Sequence, residues 1–596
     1  MMNFLRLLSA GMPVAAAFFF LQFADAQAVN SNVAAYYRGD TGHSGYISTT
    51  TAPILSVAWQ NTLPGVRSAS STPALVDDVL YLGAGSHVYA LNAKDGTIKW
   101  QYPADGASVP GSFNSSPAVA DGKVFIGSDN DNLSVLDAST GALLWQVATA
   151  GAVSAAPIVA DGAVFFGSTD AHLYAINENN QTPLWGGQFK SDGPIFTAPA
   201  LADGLLYFGD FDGNLYAVRE TSGDKLWTYS PAGGVSPGSP VYRNGILYSV
   251  SGSNIIAVSA RTADLRTTFN FPANILSPPT ISDTSVYASA SNQEIVSFNL
   301  RGTVNWRSKL DDIVTTPLQV TDSFLYATSR AGVIYALDLS SGKVVWSYAL
   351  QKAIVQPTDT SDITVKTLPK ALTNAAVLVQ DGRLFVLTKD GTLTAFTANA
   401  PDNVVPNVLA VYPKSNATVG GANIPFRVFV TDIGSGINPN TASLKVDGWS
   451  VPVFYGPSDS LVSVKLDAQK TGIDQARIVL PTLPDGQHTA TFKITDWRGN
   501  ILTESWSFTV DNTNNPTGSA PPTPITPDSN IQASTAATDY SNGKFSAPAN
   551  PPIASAEIPG PGGNDAGPGR QQYSGPAAQA RANGGGRAPF PLLPPI

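Results

Sequence analysis

Along most of the chain, short apolar runs alternate with polar residues and are cut by turns at close, regular intervals. One stretch shows the grammar. Ala118-Val119-Ala120 follows Ser116-Pro117 and meets a turn at Asp121-Gly122, and residues 123–127 form the next run. A second turn at 129–132 leads to 133–137, and a third, Ser139-Thr140-Gly141, leads to a run ending in Trp145. Alternation of this kind predicts strands, and Asx-Gly between two such runs predicts a tight hairpin, because both central residues need positive φ. The same dipeptide recurs at Asp161-Gly162, Asp203-Gly204, Asn244-Gly245 and Asp381-Gly382.

The pattern is a repeat. Prolines ahead of a small apolar run stand at Pro73, Pro117, Pro157, Pro199, Pro240, Pro278 and Pro317, in steps of 44, 40, 42, 41, 38 and 39 residues. An eighth copy, 375–396, lacks the proline. A period near 40 with four short strands per unit predicts propeller blades. Trp100, Trp145, Trp185, Trp227, Trp306 and Trp346 each close a unit, and Phe269 takes that place in the fifth. The eighth unit has no such residue, but an unattached copy of the closing run ends at Trp59. The N-terminal strand is therefore expected to complete the last blade and leave no open edge. The expected fold is all-β: an eight-bladed propeller over 33–400.

The unit Ala90-x-Asn92-x-x-Asp95-Gly96-x-x-x-Trp100 resembles the docking repeat of the quinoprotein, or PQQ-like, β-propellers. Val135 to Trp145 with Gly141, and Ala336 to Trp346 with Gly342, carry it too, and so does the leader Tyr37-Arg38-Gly39-Asp40 with His43-Ser44-Gly45-Tyr46. The resemblance implies that Trp59, Trp100, Trp145, Trp185, Trp227, Trp306 and Trp346, with Gly96, Gly141, Gly223 and Gly342, dock blades rather than bind a ligand. It also implies several kinds of activity. The family includes dye-linked alcohol dehydrogenases, a scaffold of the outer-membrane barrel assembly machinery, and sensor ectodomains.

A second composition begins near residue 403. Alternating runs at 428–432, 443–448, 463–466, 489–494 and 506–510 predict a β-sandwich over 404–512, similar to bacterial immunoglobulin-like modules. The oxygens of Asp432, Asp496 and Asn500 could hold calcium, although turn capping is the expected role of such residues. Residues 513–596 hold sixteen of the 45 prolines, with Gly, Ala, Ser and Asn filling most of the rest, which predicts a disordered tail. The insertion 352–371 is expected to be a loop on one face. At the other end, Arg6 and an apolar run to Leu21 precede small-residue sites at 24–28, so residues 1–28 read as a cleaved export signal. No later run is long enough to span a membrane.

Composition narrows the function. Charged residues are 13 % of the chain and the net charge is −10, with no basic cluster for nucleic acid. There is no cysteine, which excludes the vicinal disulfide of the family's alcohol dehydrogenases, thiolate metal sites and a cysteine nucleophile. The acidic residues of the repeats, such as Asp129, Asp131, Asp170, Asp212 and Asp390, fall in hairpin turns. These features predict a monomeric, exported, non-enzymatic scaffold at the envelope or surface, binding proteins or glycans, with no catalytic, metal or cofactor residues. PQQ-dependent dehydrogenation and a surface adhesin with a sandwich stalk are the alternatives.

Overall fold

The computed structural model describes residues 36–513, apart from 105–110, 232–233, 235–237, 351–372, 374, 421–423, 425, 459–460 and 465–482. The export signal, the 352–371 insertion and nearly all of the tail therefore lie outside the described residues. The regular secondary structure of the described residues is strand joined by turns, apart from two three-residue 3-10 turns, Tyr37–Gly39 and Pro439–Thr441.

Eight four-stranded antiparallel sheets follow one another between Ser56 and Thr397. The second is typical: Ala118–Ala120, Lys123–Ser128, Asn132–Asp137 and Leu143–Ala148, paired in that order. Its middle strands are buried on both faces, as at Val124, Phe125 and Ile126, whereas the outermost strand exposes Leu143 and Leu144 and buries Trp145. A sheet sandwiched between two others has to be apolar on both sides, so its inner runs read as nearly continuous rather than alternating.

Consecutive sheets share their cores. Trp100, Tyr81 and Val88 of the first sheet pack with Val124, Ile126 and Leu136 of the second. The succession closes on itself, because Phe385, Leu387 and Leu393 of the eighth sheet pack with Leu80, Leu82 and Tyr89 of the first. The eighth sheet is completed by Ser56–Thr62, which pairs antiparallel with Thr392–Thr397 over six registered positions. Chain ends some 330 residues apart thus share one ladder.

After residue 406 two further sheets face each other. One holds Asn407–Tyr412, Arg427–Thr431, Leu461–Val464 and Val453–Gly456. The other holds Thr418–Val419, Ile501–Val510, Gly486–Thr495, Ser443–Val446 and Trp449–Val451. Phe426, Val428, Val430, Leu444, Phe492, Trp506 and Phe508 fill the space between them. Among the described residues no helix is long and apolar enough to cross a membrane.

Deleting residues 53–60 removes most of the closing strand, exposes most of the edge of Thr392–Thr397 and takes Trp59 from the first sheet. Scanning calorimetry is expected to show the whole ring melting at lower temperature. An unchanged melting temperature would mean that the closing ladder contributes nothing to the ring.

Candidate functional site

Most of the docking tryptophans lie beside a β-bulge. Trp100 pairs with Ala90, but Ile98 pairs with Leu91, which leaves one extra residue between them, and the same shift occurs at Trp145, Trp227, Trp306 and Trp346. A bulge turns its strand and re-aims a side chain, here toward the next sheet. The indole N–H of Trp100 donates to Ala138 O of that sheet at 2.9 Å. Trp59, Trp185, Trp227 and Trp306 donate likewise to Ala93, Glu220, Ala260 and Leu339. Trp145 is buried against Phe125, and Phe269 is fully buried without a polar handle.

The glycines stand under the rings. Gly141 has φ +73°, and a Cβ there would sit 2.5 Å from the Trp100 ring. The corresponding distances are 2.4 Å for Gly96 under Trp59, 2.6 Å for Gly223 under Trp185 and 2.5 Å for Gly342 under Trp306. Conformational freedom is therefore half of the reason for glycine, and room for the indole is the other half. Gln181 and Ala263 hold the equivalent turns at φ +63° and +59° beside Trp145 and Trp227.

Trp346 breaks the series. The chain leaves the eighth sheet after Thr397, so no turn of that sheet stands over it, and its N–H donates instead to Ser435 O at 2.9 Å. Residues 432–436 of the C-terminal unit occupy the place that a neighbouring hairpin turn takes elsewhere. The seam continues through Trp497 Nε1 to Ser347 O (3.0 Å), Val57 N to Gly434 O (3.0 Å), and Arg498 to Ser56 Oγ and Ala398 O (3.1 and 2.6 Å).

Asp402, Asp432 and Asp496 meet at this seam, with one carboxylate oxygen of each within 4.8 Å of the other two. The expected turn bonds are made. Asp432 Oδ2 accepts from the N–H groups of Gly434 and Gly436, and Asp496 accepts from the backbone and amide of Asn500. Burial, reinforced by the two neighbouring carboxylates, pushes Asp432 up to about 6 against the pull of those N–H bonds. Asp402 carries no motif in the sequence, and only the return of the C-terminal unit onto the ring gives it these neighbours.

The leader crosses the ring. Thr41 O, Gly42 O, Ser44 O and Gly45 O accept from the backbone N–H of Leu201, Tyr242, Ile281 and Val320, one innermost strand after another. Arg38 is buried and donates to Pro279 O and Thr280 Oγ1. His43 is 1 % exposed, and burial, with the Arg38 charge nearby, holds it down at about 3. Tyr37 reaches the axis, where the sheets leave a cavity of about 40 Å³. Ser70, Thr72, Ser116, Ser154 and Ser239 are among its lining residues, and among the described residues no charged side chain is.

The family model described as outer membrane protein assembly factor BamB matches residues 105–233, 211–312 and 291–401. These repeats belong to the PQQ-like family. A segment covering 16 % of the chain is 36 % identical over 102 residues to quinohemoprotein alcohol dehydrogenase ADH-IIG of Pseudomonas putida, and covers 14 % of it. Another is 36 % identical over 91 residues to the BamB of Yersinia pestis, covering 15 % of this chain and 23 % of that one. The matches thus span less than a quarter of either relative. The solved quinohemoprotein alcohol dehydrogenase of Comamonas testosteroni is 13 % identical over 63 % of this chain and 83 % of its own, with a TM-score of 0.50, a likeness of fold.

These relatives correct the expectation of a non-enzymatic chain. PQQ-like repeats at this level of identity occur in proteins named dehydrogenases as well as in one named an assembly factor. Turn-borne aspartates and absent cysteines do not separate the two. The axial cavity can be tested against the cofactor. A volume of 40 Å³ suits a few waters, and the described lining offers no cation to a tricyclic tricarboxylate such as PQQ. The described residues do not fit that group at the axis.

Trp100→Ala is expected to cost about 3–5 kcal/mol in chemical denaturation, the usual loss for a buried aromatic. Gly141→Ala should cost about 1–3 kcal/mol through the displaced indole, and less when combined with Trp100→Ala. His43 supplies a pH dependence. Its folded pKa of about 3 lies below the unfolded 6.5, so the unfolded chain gains the proton first as pH falls. Stability should drop through the window from 6.5 toward 3, by about 1.4 kcal/mol per unit in its steep part. His43→Asn should flatten the fall in melting temperature between about pH 7 and about pH 5.

Proposed function

We propose that the chain is an exported, monomeric interaction protein of the cell envelope. In this reading it is an eight-bladed PQQ-like propeller carrying an immunoglobulin-like sandwich, and it binds a protein partner through one face of the ring. The observation that carries the reading is the axis: a small cavity whose described lining is uncharged, largely Ser, Thr and Ala with Tyr37 among them. Among the described residues, this small axial cavity leaves the loop-bearing faces of the ring as the surface offered to a partner. At the edge of the cavity Phe196 meets Phe211 edge to face, ring centroids 5.7 Å apart, and Phe211 is 53 % exposed. An exposed aromatic on a rigid hairpin is the kind of side chain that anchors protein interfaces. The match to an assembly-factor family model supports the same role. A glycan-binding surface adhesin would use the same face.

The second reading is a PQQ-dependent alcohol dehydrogenase, and the 36 % identity to ADH-IIG favours it.

A photo-crosslinking amino acid at Phe211 in the full chain, expressed in its own cells, is expected to give a discrete protein adduct. Phe211→Ala should weaken that partner's binding at least about tenfold and leave the melting temperature unchanged, because the ring is half in solvent. Absence of any adduct would overturn the choice of face. Dye reduction by the purified chain with PQQ, calcium and a primary alcohol would replace this reading with the second.

A further inference from the structure

We infer that Asp402, Asp432 and Asp496 form a divalent cation site, most suited to calcium, that clamps the C-terminal unit to the ring. The three carboxylates come from three segments: the linker leaving the eighth sheet, the 432–436 turn that receives the Trp346 indole, and the Asp496 turn beside the Trp497 and Arg498 contacts. One oxygen from each lies within 4.8 Å of the other two. Ligands around one calcium ion at about 2.3–2.6 Å can be at most about 5 Å apart, so a single ion can reach all three.

Capping alone does not account for the cluster. Asp432 is 5 % exposed, and while its Oδ2 takes two backbone N–H groups, its Oδ1 is buried with no hydrogen-bond partner. Ser435 Oγ in the same turn is also buried and unpartnered, at 0 % exposure. A buried carboxylate oxygen without a donor costs free energy comparable to a lost charged hydrogen bond. Among the described residues no Lys, Arg or His pairs with any of the three aspartates; Arg498 is turned to Ser56 and Ala398 instead. Three carboxylates gathered without a counter-charge repel one another, and a hard divalent ion with oxygen ligands supplies what is missing.

The arrangement around them is already fixed. The Asn500 amide donates to Asp402 O at 3.0 Å and to Asp496 Oδ2 at 2.7 Å, and Ser435 N–H donates to Asp402 Oδ2 at 2.7 Å. Asn500 therefore serves as a positioning residue, holding the Asp496 carboxylate and the Asp402 backbone. An ion bound here ties the linker to the turn that covers Trp346, and so couples the C-terminal unit to the ring. The site lies away from the axis and rests on none of the axial residues, so its failure would leave the interaction reading standing.

The test is calorimetric titration of chelator-treated full-length protein with calcium chloride, and separately with magnesium chloride. The expected result is one saturable calcium site, with a Kd between about 10⁻⁶ and about 10⁻³ M, weaker magnesium binding, and a melting temperature that rises with calcium. Asp402→Asn removes a ligand from the linker without touching either core, and should weaken calcium at least tenfold and abolish the rise in melting temperature. Asp432→Asn should do the same, and should raise the melting temperature in chelator by relieving repulsion. Asp212→Asn, in a hairpin turn of the fourth sheet, should bind as wild type. No calcium heat and no thermal shift in the wild-type chain would overturn the inference. So would calcium binding that Asp402→Asn and Asp432→Asn leave intact, because the ion would then sit elsewhere.

Discussion

The contact on which the molecule depends is an indole laid on a glycine of the neighbouring sheet, with its N–H pointing at that sheet's backbone. A four-stranded sheet whose middle strands are apolar on both faces cannot be stable alone, since each face needs a partner. The tryptophan supplies a large apolar area together with one directional bond, so it sets both the distance and the rotation between sheets. Trp100 over Gly141 with its bond to Ala138 shows the whole device. The bulge beside most of these indoles is part of it, because it turns the strand and re-aims the side chain toward the next sheet.

Such a series has to end somewhere, and its two ends are handled differently. The edge of the last sheet is paired by Ser56–Thr62, which brings Trp59 onto the first sheet. The last docking tryptophan of the ring, Trp346, is left over a gap where the chain departs, and residues 432–436 fill it. The C-terminal unit is thus more than an appended module. It completes the packing of the seventh and eighth sheets, and the acidic cluster lies where that completion brings linker and turn together. The leader plays a comparable part at the axis, bonding to four innermost strands and bringing Tyr37 to the wall of the cavity.

The same packing explains why the repeats say little about chemistry. Their regular positions are occupied by docking, hairpin turns and shared cores, and proteins named as dehydrogenases and as an assembly factor both carry them. What differs among such proteins has to lie at the axis, on the loops and at the chain ends. Here those places hold small hydroxyl side chains, an exposed Phe211 beside Phe196, and a seam of three carboxylates.

The strands were legible because local rules write them. The run expected at 123–127 is the strand Lys123–Ser128, and the Asx-Gly turns sit at Asp121, Asp161, Asp203, Asn244 and Asp381 with positive φ. Period, closing tryptophans and the unattached copy at Trp59 also stood in the sequence, since repetition is visible without coordinates. The acidic site was only half visible. Asp432, Asp496 and Asn500 stood out as turn residues, but Asp402 is a single carboxylate in a linker, and nothing local marks it. Likewise the sequence gives no sign that Trp346 would dock on Ser435, 89 residues away, or that Arg38 would be buried against Pro279. Turns and strands follow from neighbours along the chain, whereas a seam, a cavity and a carboxylate cluster follow from which surfaces meet. Only the closed ring, with the C-terminal unit folded back onto it, decides that.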